Sequence, residues 1–594
     1  MPKQQNDTAA RPRWNRLWRQ RPTPRGSISP NKMNRAAPYL FLAPSLAGLC
    51  VFVLVPFADA VRRSFTDAMG SRFVGFANYA SVLGNSAFRL AAGNTARFIG
   101  VCVPLLLCVS LLLAVAVRAA KDGGRIFKTT YLIPMAIPVA SIVLLWQALF
   151  HRQGLVNAVL SALGAQPVDF MGTDAAFWVL IGTYVWKNAG YDMILWMAGL
   201  DGISDSLYEA ARVDGAGAWQ CFWRVTLPGL LPTLFMTAVL SLLNTFKVFR
   251  EAYLVGGAYP HDSIYLLQHL FNNWFLDLDV GRLCAAAVLI AAVLLAAILL
   301  LQNCGGGGLA MKRNNLGRAV LVLVLLLPAL AVWWPLWFMG TGALMPLDEL
   351  RAALGPVLQG AEGSAFWPLL PSWPTLQPLA ELLLDTPQFF TMFWNTCAIV
   401  FPQVLGQVLV GAPAAWAFSR LRFRGRRALF TLYIVLMLMP FQVTMVSGYL
   451  VADAMGIMDT FWAIILPGVF STFPVFIMAK GFDAVPIALL EAASIDGAGP
   501  LRTFFHIGVP LGVPGILSAA VLGFLEAWNA IEQPMTFLKT KALWPLSLYL
   551  PQIAAEKLGL AMVASLVMLA PAVLIFRFGQ KYLELGIQAS GLKE

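Results

Sequence analysis

Tyr208-Glu-Ala-Ala-Arg-Val-Asp-Gly-Ala-Gly217, running on to Val225-Thr-Leu-Pro228, returns 282 residues later as Leu490-Glu-Ala-Ala-Ser-Ile-Asp-Gly-Ala-Gly499, running on to Ile507-Gly-Val-Pro510. Both copies hold Glu-Ala-Ala, three residues, Gly, nine residues, a β-branched residue, one residue, an apolar residue and Pro. Glu-Ala-Ala favours helix. Asp-Gly-Ala-Gly breaks it, because Gly takes φ > 0 without steric cost. The closing Pro suits the first turn of a following helix. The pattern predicts a short helix, a sharp bend with small residues at its tip, and a second helix leaving the bend. Small residues let another protein approach closely. Asp214 and Asp496, just before the turn glycines, are expected to cap the local turn. The same spacing found twice makes the chain two related halves.

Around these loops the chain is apolar. Of 594 residues, 59% are hydrophobic and 12% charged, against roughly 25% charged in an average soluble domain. So few charges cannot coat several globular domains, and the solvent for much of the chain must be lipid. A helix needs about 20 apolar residues to cross a bilayer core. Charge-free runs that contain such a span occupy 36–58, 98–117, 129–150, 225–246, 283–301, 319–340, 390–419, 428–452, 460–479 and 558–576. Two further runs carry polar insertions, 175–200 with Lys187 and Asp192, and 507–530 with Glu526. That makes twelve spans, six on each side of Gly305-Gly-Gly-Gly308, a flexible joint by composition. The expected fold class is all-α integral membrane, as two six-span helical bundles. The expected divisions are a basic tail 1–35, a first half 36–302 with loop 208–228, a linker 303–318, and a second half 319–594 with loop 490–510.

Net charge is +12, from 42 Lys and Arg against 30 Asp and Glu. Basic residues collect in the first 35 positions, in the loop holding Arg118, Lys121, Arg125 and Lys128, at Lys312, Arg313 and Arg318, and in Arg420 to Arg427. With every span counted these segments share one side, and the excess of Lys and Arg in short loops marks the cytoplasm. Both termini are expected there. The Pro, Arg and Trp content of the first segment reads as a cytoplasmic tail, with no nucleic-acid partner. Seven cysteines form no CxxC, and four histidines form no HxxH or HExxH. The sequence offers no metal site.

The repeated segment resembles the EAA loop of importer-type ATP-binding-cassette permeases, and its Asp-Gly-Ala-Gly version is similar to the carbohydrate-uptake, maltose-type branch. Phe73-Val-Gly-Phe-Ala-Asn-Tyr79, Gly93-Asn-Thr95 and Phe249 to Pro260 are similar to that branch's first permease subunit. Trp394-Asn-Thr396, Ala415 to Gly425, Trp528-Asn529 and Gln580 to Lys593 are similar to its second. The resemblance implies a fused two-half permease of a bacterial inner membrane. It implies two ATPase partner subunits and an extracytoplasmic solute-binding protein. Glu209, Ala210, Ala211, Asp214, Gly215 and Gly217, with Glu491, Ala492, Ala493, Asp496, Gly497 and Gly499, would form two coupling helices docked on those ATPases. The dipeptide Gly-Lys never occurs, so the phosphate-cradling GxxxxGK[ST] loop is absent. ATP and magnesium are then expected on the partners, and the chain itself is expected to be a pore subunit and no enzyme.

Polar residues inside spans are costly in lipid and usually face a cavity. Tyr184, Lys187, Asn188 and Tyr191 share one helical face. Asn244, Lys247 and Glu251 repeat that spacing, and Glu526, Asn529 and Gln533 make a weaker stripe. The resemblance puts the branch's sugar contacts in the first two regions. The competing reading is interhelical hydrogen bonding, and for the third stripe it weighs slightly more. Aromatics with amides suit a sugar or polyol. The lysines keep an anionic ligand such as a glycerol phosphate open. A twelve-span secondary transporter is the rival class, but Gly-x-x-x-Asp-Arg-x-Gly-Arg is missing between spans two and three.

Overall fold

The computed structural model describes residues 32–67, 72–119, 124–245, 248–303, 318–358, 363–437, 441–554 and 557–591. The tail before Lys32, Lys121, Lys247 and the Gly305-Gly-Gly-Gly308 joint lie outside them. Among the described residues the structure is helical, apart from one isolated antiparallel bridge between Thr66 and Phe73. The described residues of each of the twelve apolar runs fall mainly on a helix or a broken helix.

Among the described residues, seven helices are long and apolar enough to cross a membrane: Ala36–Ser64, Ser86–Ala119, Leu325–Ala343, Pro387–Arg420, Trp462–Phe482, Pro500–Trp528 and Gly559–Leu583. Two more runs are bent pairs, Ile126–Ala136 with Ser141–Ala162 at 99°, and Phe222–Gly229 with Thr233–Leu242 at 57°. The first break falls at Ile137-Pro138, where proline supplies no backbone N–H to continue the ladder. The remaining runs lie on Ala175–Asp201, on Val280–Asn303, and on Arg426–Met437 followed by Phe441–Ala454. Gly190 lets Ala175–Asp201 approach its neighbour: a Cβ there would stand 1.8 Å from the Tyr131 carbonyl oxygen.

The first span of each half packs on the other half as well as on its own. Ala36–Ser64 lies along Pro387–Arg420 and Phe441–Ala454. The hydroxyls of Ser45 and Tyr433 are 2.8 Å apart, and the Ser447 hydroxyl donates to Asp59 at 3.3 Å. In return, Arg318–Ala343 packs on Gly124–Ala136. There the Tyr131 hydroxyl donates to the Leu325 carbonyl, and the Trp186 indole donates to the Ala331 carbonyl at 3.2 Å. The core formed by this exchange runs through both halves.

The repeat is visible in hydrogen bonds. Asn94 on the second span donates to the carbonyls of Asp262 and Tyr265, and the Thr95 hydroxyl accepts from Leu267 N–H at 3.1 Å. In the second half, Asn395 donates to the carbonyls of Ala542 and Trp544, and the Thr396 hydroxyl accepts from Leu546 N–H at 2.8 Å. Each Asn-Thr pair clamps the short 3₁₀ turn that lies between the fifth and sixth spans of its half. At the opposite end, Arg118 donates to the Leu200 carbonyl and Arg420 to the Phe482 carbonyl, which ties the second span of each half to the end of the fourth.

The described residues of the segment 341–389 pack on the helices around them. Leu347–Leu358 buries Leu350, Ala353 and Leu354. Ala365 N–H donates to the Gln153 carbonyl of the first half at 2.7 Å.

Candidate functional site

The two repeated loops have the same backbone. Asp205–Val213 and Ile487–Ile495 are the short helices, 282 residues apart. Gly215 at φ +80° and Gly497 at φ +76° end them in the left-handed region. The N–H of Gly215 bonds the Arg212 carbonyl, and that of Ala216 bonds the Ala211 carbonyl. Gly497 and Ala498 repeat this with Ser494 and Ala493. This pair of bonds is the glycine-terminated helix end that satisfies the last carbonyls. Both loops then leave through a five-residue wide turn, Phe222–Thr226 and Phe504–Gly508.

The expected capping by aspartate takes a different form. Asp214 and Asp496 occupy the residue before the left-handed glycine, and both are exposed. Among the described residues neither side chain closes the turn, and the backbone bonds do so alone. Glu209, Ala210, Gly215, Glu491, Ala492, Gly497 and Gly499 are exposed, Ala211 and Gly217 half-buried, and Ala493 buried. No heavy atom lies within 4 Å of the space beside Gly215 or Gly497. Glycine is required there by backbone angle rather than by crowding.

The sequence reading missed the apolar tip of each loop. Val213 is 88% exposed and Ile495 85%, at equivalent positions, with Leu207 and Leu489 exposed behind them. A β-branched residue before Asp-Gly in both copies was the available signal.

A cavity of about 410 Å³ lies between the two halves. Its lining includes Tyr184, Lys187, Asn188, Tyr191, Asn244 and Glu251, six of the seven residues expected on the first two stripes. Lys247, the seventh, lies outside the described residues. Glu526, Asn529 and Gln533 line it too, from the other half. They stand 282 residues after Asn244, Lys247 and Glu251, so the second and third stripes are one feature repeated. The fourth-span stripe is not repeated. Its counterpart in the second half is Leu466, Val469, Phe470 and Phe473, and the polar wall there belongs to one half.

Cavity and glue are both present. The Lys187 ammonium pairs with Glu251 at 2.5 Å. The Tyr184 hydroxyl donates to the Ser241 carbonyl at 3.3 Å and the Asn188 amide to the Tyr184 carbonyl at 2.9 Å. Asp192 accepts from the Ser241 hydroxyl at 2.6 Å. The sequence reading also missed Arg250, Glu532, Gln403 and Gln407, all in the lining. Arg250 pairs with Glu532 across the halves at 2.8 Å. Among the described residues, Glu251 Oε2, Gln407 Oε1 and Asn529 Oδ1 are buried acceptors with no hydrogen-bond partner. The amide orientations follow from their donors, since Gln407 Nε2 bonds the Gly468 carbonyl and Asn529 Nδ2 the Leu525 carbonyl.

A family model described as a binding-protein-dependent transport system inner membrane component matches residues 103–304 and again 407–588. The chain belongs to that family and carries its domain twice. It is similar to the trehalose/maltose transport system permease protein MalF of Thermococcus litoralis, 31% identical over 257 residues, which are 42% of this chain and 87% of the relative. It is also similar to the lactose transport system permease protein LacF of Rhizobium radiobacter, 31% identical over 40% of this chain and 83% of that one. A third relative is the sn-glycerol-3-phosphate transport system permease protein UgpA of Yersinia enterocolitica, 31% identical over 42% and 88%. Each corresponds to somewhat under half of this chain. A solved chain from a bacterial transporter involved in import of the polysaccharide alginate is 25% identical, covers 45% of this chain and 94% of that one, and superposes with a TM-score of 0.40. The chain is a fused two-half permease of an ATP-binding-cassette importer, a multi-pass membrane protein that works with ATPase subunits and a solute-binding protein.

Proposed function

We propose that this permease imports a neutral polyhydroxylated solute, a sugar or related polyol, through the cavity between its halves. The observation that carries this reading is the lining, where the amides of Asn188, Asn244, Gln403, Gln407 and Asn529 stand with aromatic rings and the described cations are each paired with an acid. Amide groups both donate to and accept from hydroxyls. An anion would bring more acceptors. Among the described residues Lys187 and Arg250 are each paired with a carboxylate. That balance disfavours a phosphorylated ligand. Tyr184 and Tyr191 add aromatic faces for sugar rings.

Two ATPase subunits would hold ATP and magnesium. Each would receive one loop, through the exposed Val213 and Ile495 tips together with Glu209 and Glu491. Closure of the ATPases would move the two short helices, and the halves would rock about the cavity. The loops and both termini would lie in the cytoplasm, and the segment 341–389 outside.

Copurification from mild detergent, with mass spectrometry of the associated chains, tests the assembly. An ATPase at two copies and a solute-binding protein are expected. Calorimetry on that binding protein then names the ligand. A phosphorylated or acidic ligand would overturn the neutral-solute reading. Uptake driven by an ion gradient in proteoliposomes of this chain alone would overturn the importer assembly.

A further inference from the structure

Arg250 and Glu532 occupy the same place in the two halves, since 282 residues separate them and the same interval separates the two loops. Each lies at the start of the short helix that follows the fifth span of its half, Phe249–Gly256 and Glu532–Phe537. The fifth span of each half runs from a repeated loop to this point, so the pair lies at the end of the cavity remote from the loops. Arg250 Nε donates to both carboxylate oxygens, at 2.9 and 2.8 Å. The side chains are only 12% and 11% exposed, and both residues line the cavity.

We propose that Arg250 and Glu532 latch the two halves together at the cavity end remote from the loops, and that the latch parts in every transport cycle. The proposal rests on the importer reading and adds a gate to it. Any movement that opens this end must separate the two short helices and therefore this pair. Charge suits a contact that has to break. A buried ion pair gains in the dry closed state but costs desolvation. Once the end opens, water hydrates each ion and returns that cost, so the two states stay close in energy. Two apolar side chains would gain nothing from separation. The opposite charges also need two different halves. Arginine in both copies would face arginine, and glutamate would face glutamate.

The test uses the whole complex, with ATPases and binding protein, in proteoliposomes. Arg250→Cys and Glu532→Cys are placed in a chain whose seven native cysteines are replaced, and a short reducible bifunctional thiol reagent joins them. The expected result is cross-linking in the nucleotide-free complex, at least about a tenfold loss of uptake relative to the same chain reduced, and recovery on reduction. Undiminished uptake by the cross-linked chain overturns the latch, and so does failure to cross-link. A second pair of variants reads the charge. Arg250→Glu alone is expected to lower uptake about tenfold or more, and adding Glu532→Arg to restore most of it. Full uptake by Arg250→Glu overturns the proposal. Absence of ATP-driven uptake in the unsubstituted complex would sink the importer reading along with the latch, whereas transport by a cross-linked chain sinks the latch alone.

Discussion

At the residue scale, the Lys187–Glu251 pair separates binding from glue. Lys187 is 17% exposed and Glu251 6%. Removing one member of a buried pair strands the other charge and costs about 3–5 kcal/mol, whereas replacing both with apolar residues is often neutral. Glu251→Gln is therefore expected to lower the melting temperature in detergent, and Lys187→Met with Glu251→Met to recover it. Uptake should stay low in the double variant, because it removes two polar side chains from the cavity lining. Recovery of both properties together would make the stripe structural. Asp459 supplies a pH test in the loop before the tenth span. Its carboxylate accepts from the Thr540 hydroxyl and from Thr540 and Lys539 N–H. Led by the Thr540 hydroxyl bond, these hold its pKa below the usual 3.8. A lowered folded value means its stabilisation is complete above the unfolded pKa and lost as pH falls through the folded one. Asp459 sits at φ +56°, which asparagine tolerates, so Asp459→Asn isolates the charge. Melts should show the variant less stable at pH 7 and the difference shrinking towards pH 3. A constant difference would assign the effect to something other than ionisation.

At the scale of elements, the loops make docking and backbone strain separable. Gly215→Ala adds a methyl into open space but strains a left-handed residue by about 1 kcal/mol. Val213→Ser leaves the backbone alone and removes the apolar tip. If the tip docks, Val213→Ser is expected to release ATPase in pull-down and to lower uptake about tenfold, and Gly215→Ala to do less. The reverse order would make bend geometry the determinant. The loops were legible because their signals are local: helix formers, a glycine where φ turns positive, a proline after it. The polar stripes were legible because polarity inside an apolar run has few uses. Val213 and Ile495 were overlooked because a lone apolar residue in a loop says nothing about its exposure. Arg250 and Glu532 were overlooked because charges at span ends are ordinary, and only their pairing across the halves singles them out. Asp214 and Asp496 hold the C-cap positions of their helices, and the backbone bonds close the bend.

At the scale of the molecule, the exchanged first spans hold the halves together without the joint. Cleavage within Gly305-Gly-Gly-Gly308 is expected to leave two fragments that copurify and transport at close to the intact rate. Fragments that separate in detergent would show that the tether carries the association. This exchange was not legible beforehand, since apolar faces declare that they need a partner and not which one. It also sets a timetable for synthesis. Tyr433, which meets Ser45, leaves the ribosome some 390 residues after it, a wait of roughly 20–80 s at 5–20 residues per second. Through that interval the part of the first span that meets the second half has no protein partner there and rests against lipid, so a chain stopped by a premature codon in its second half would present an orphaned helix face to membrane quality control.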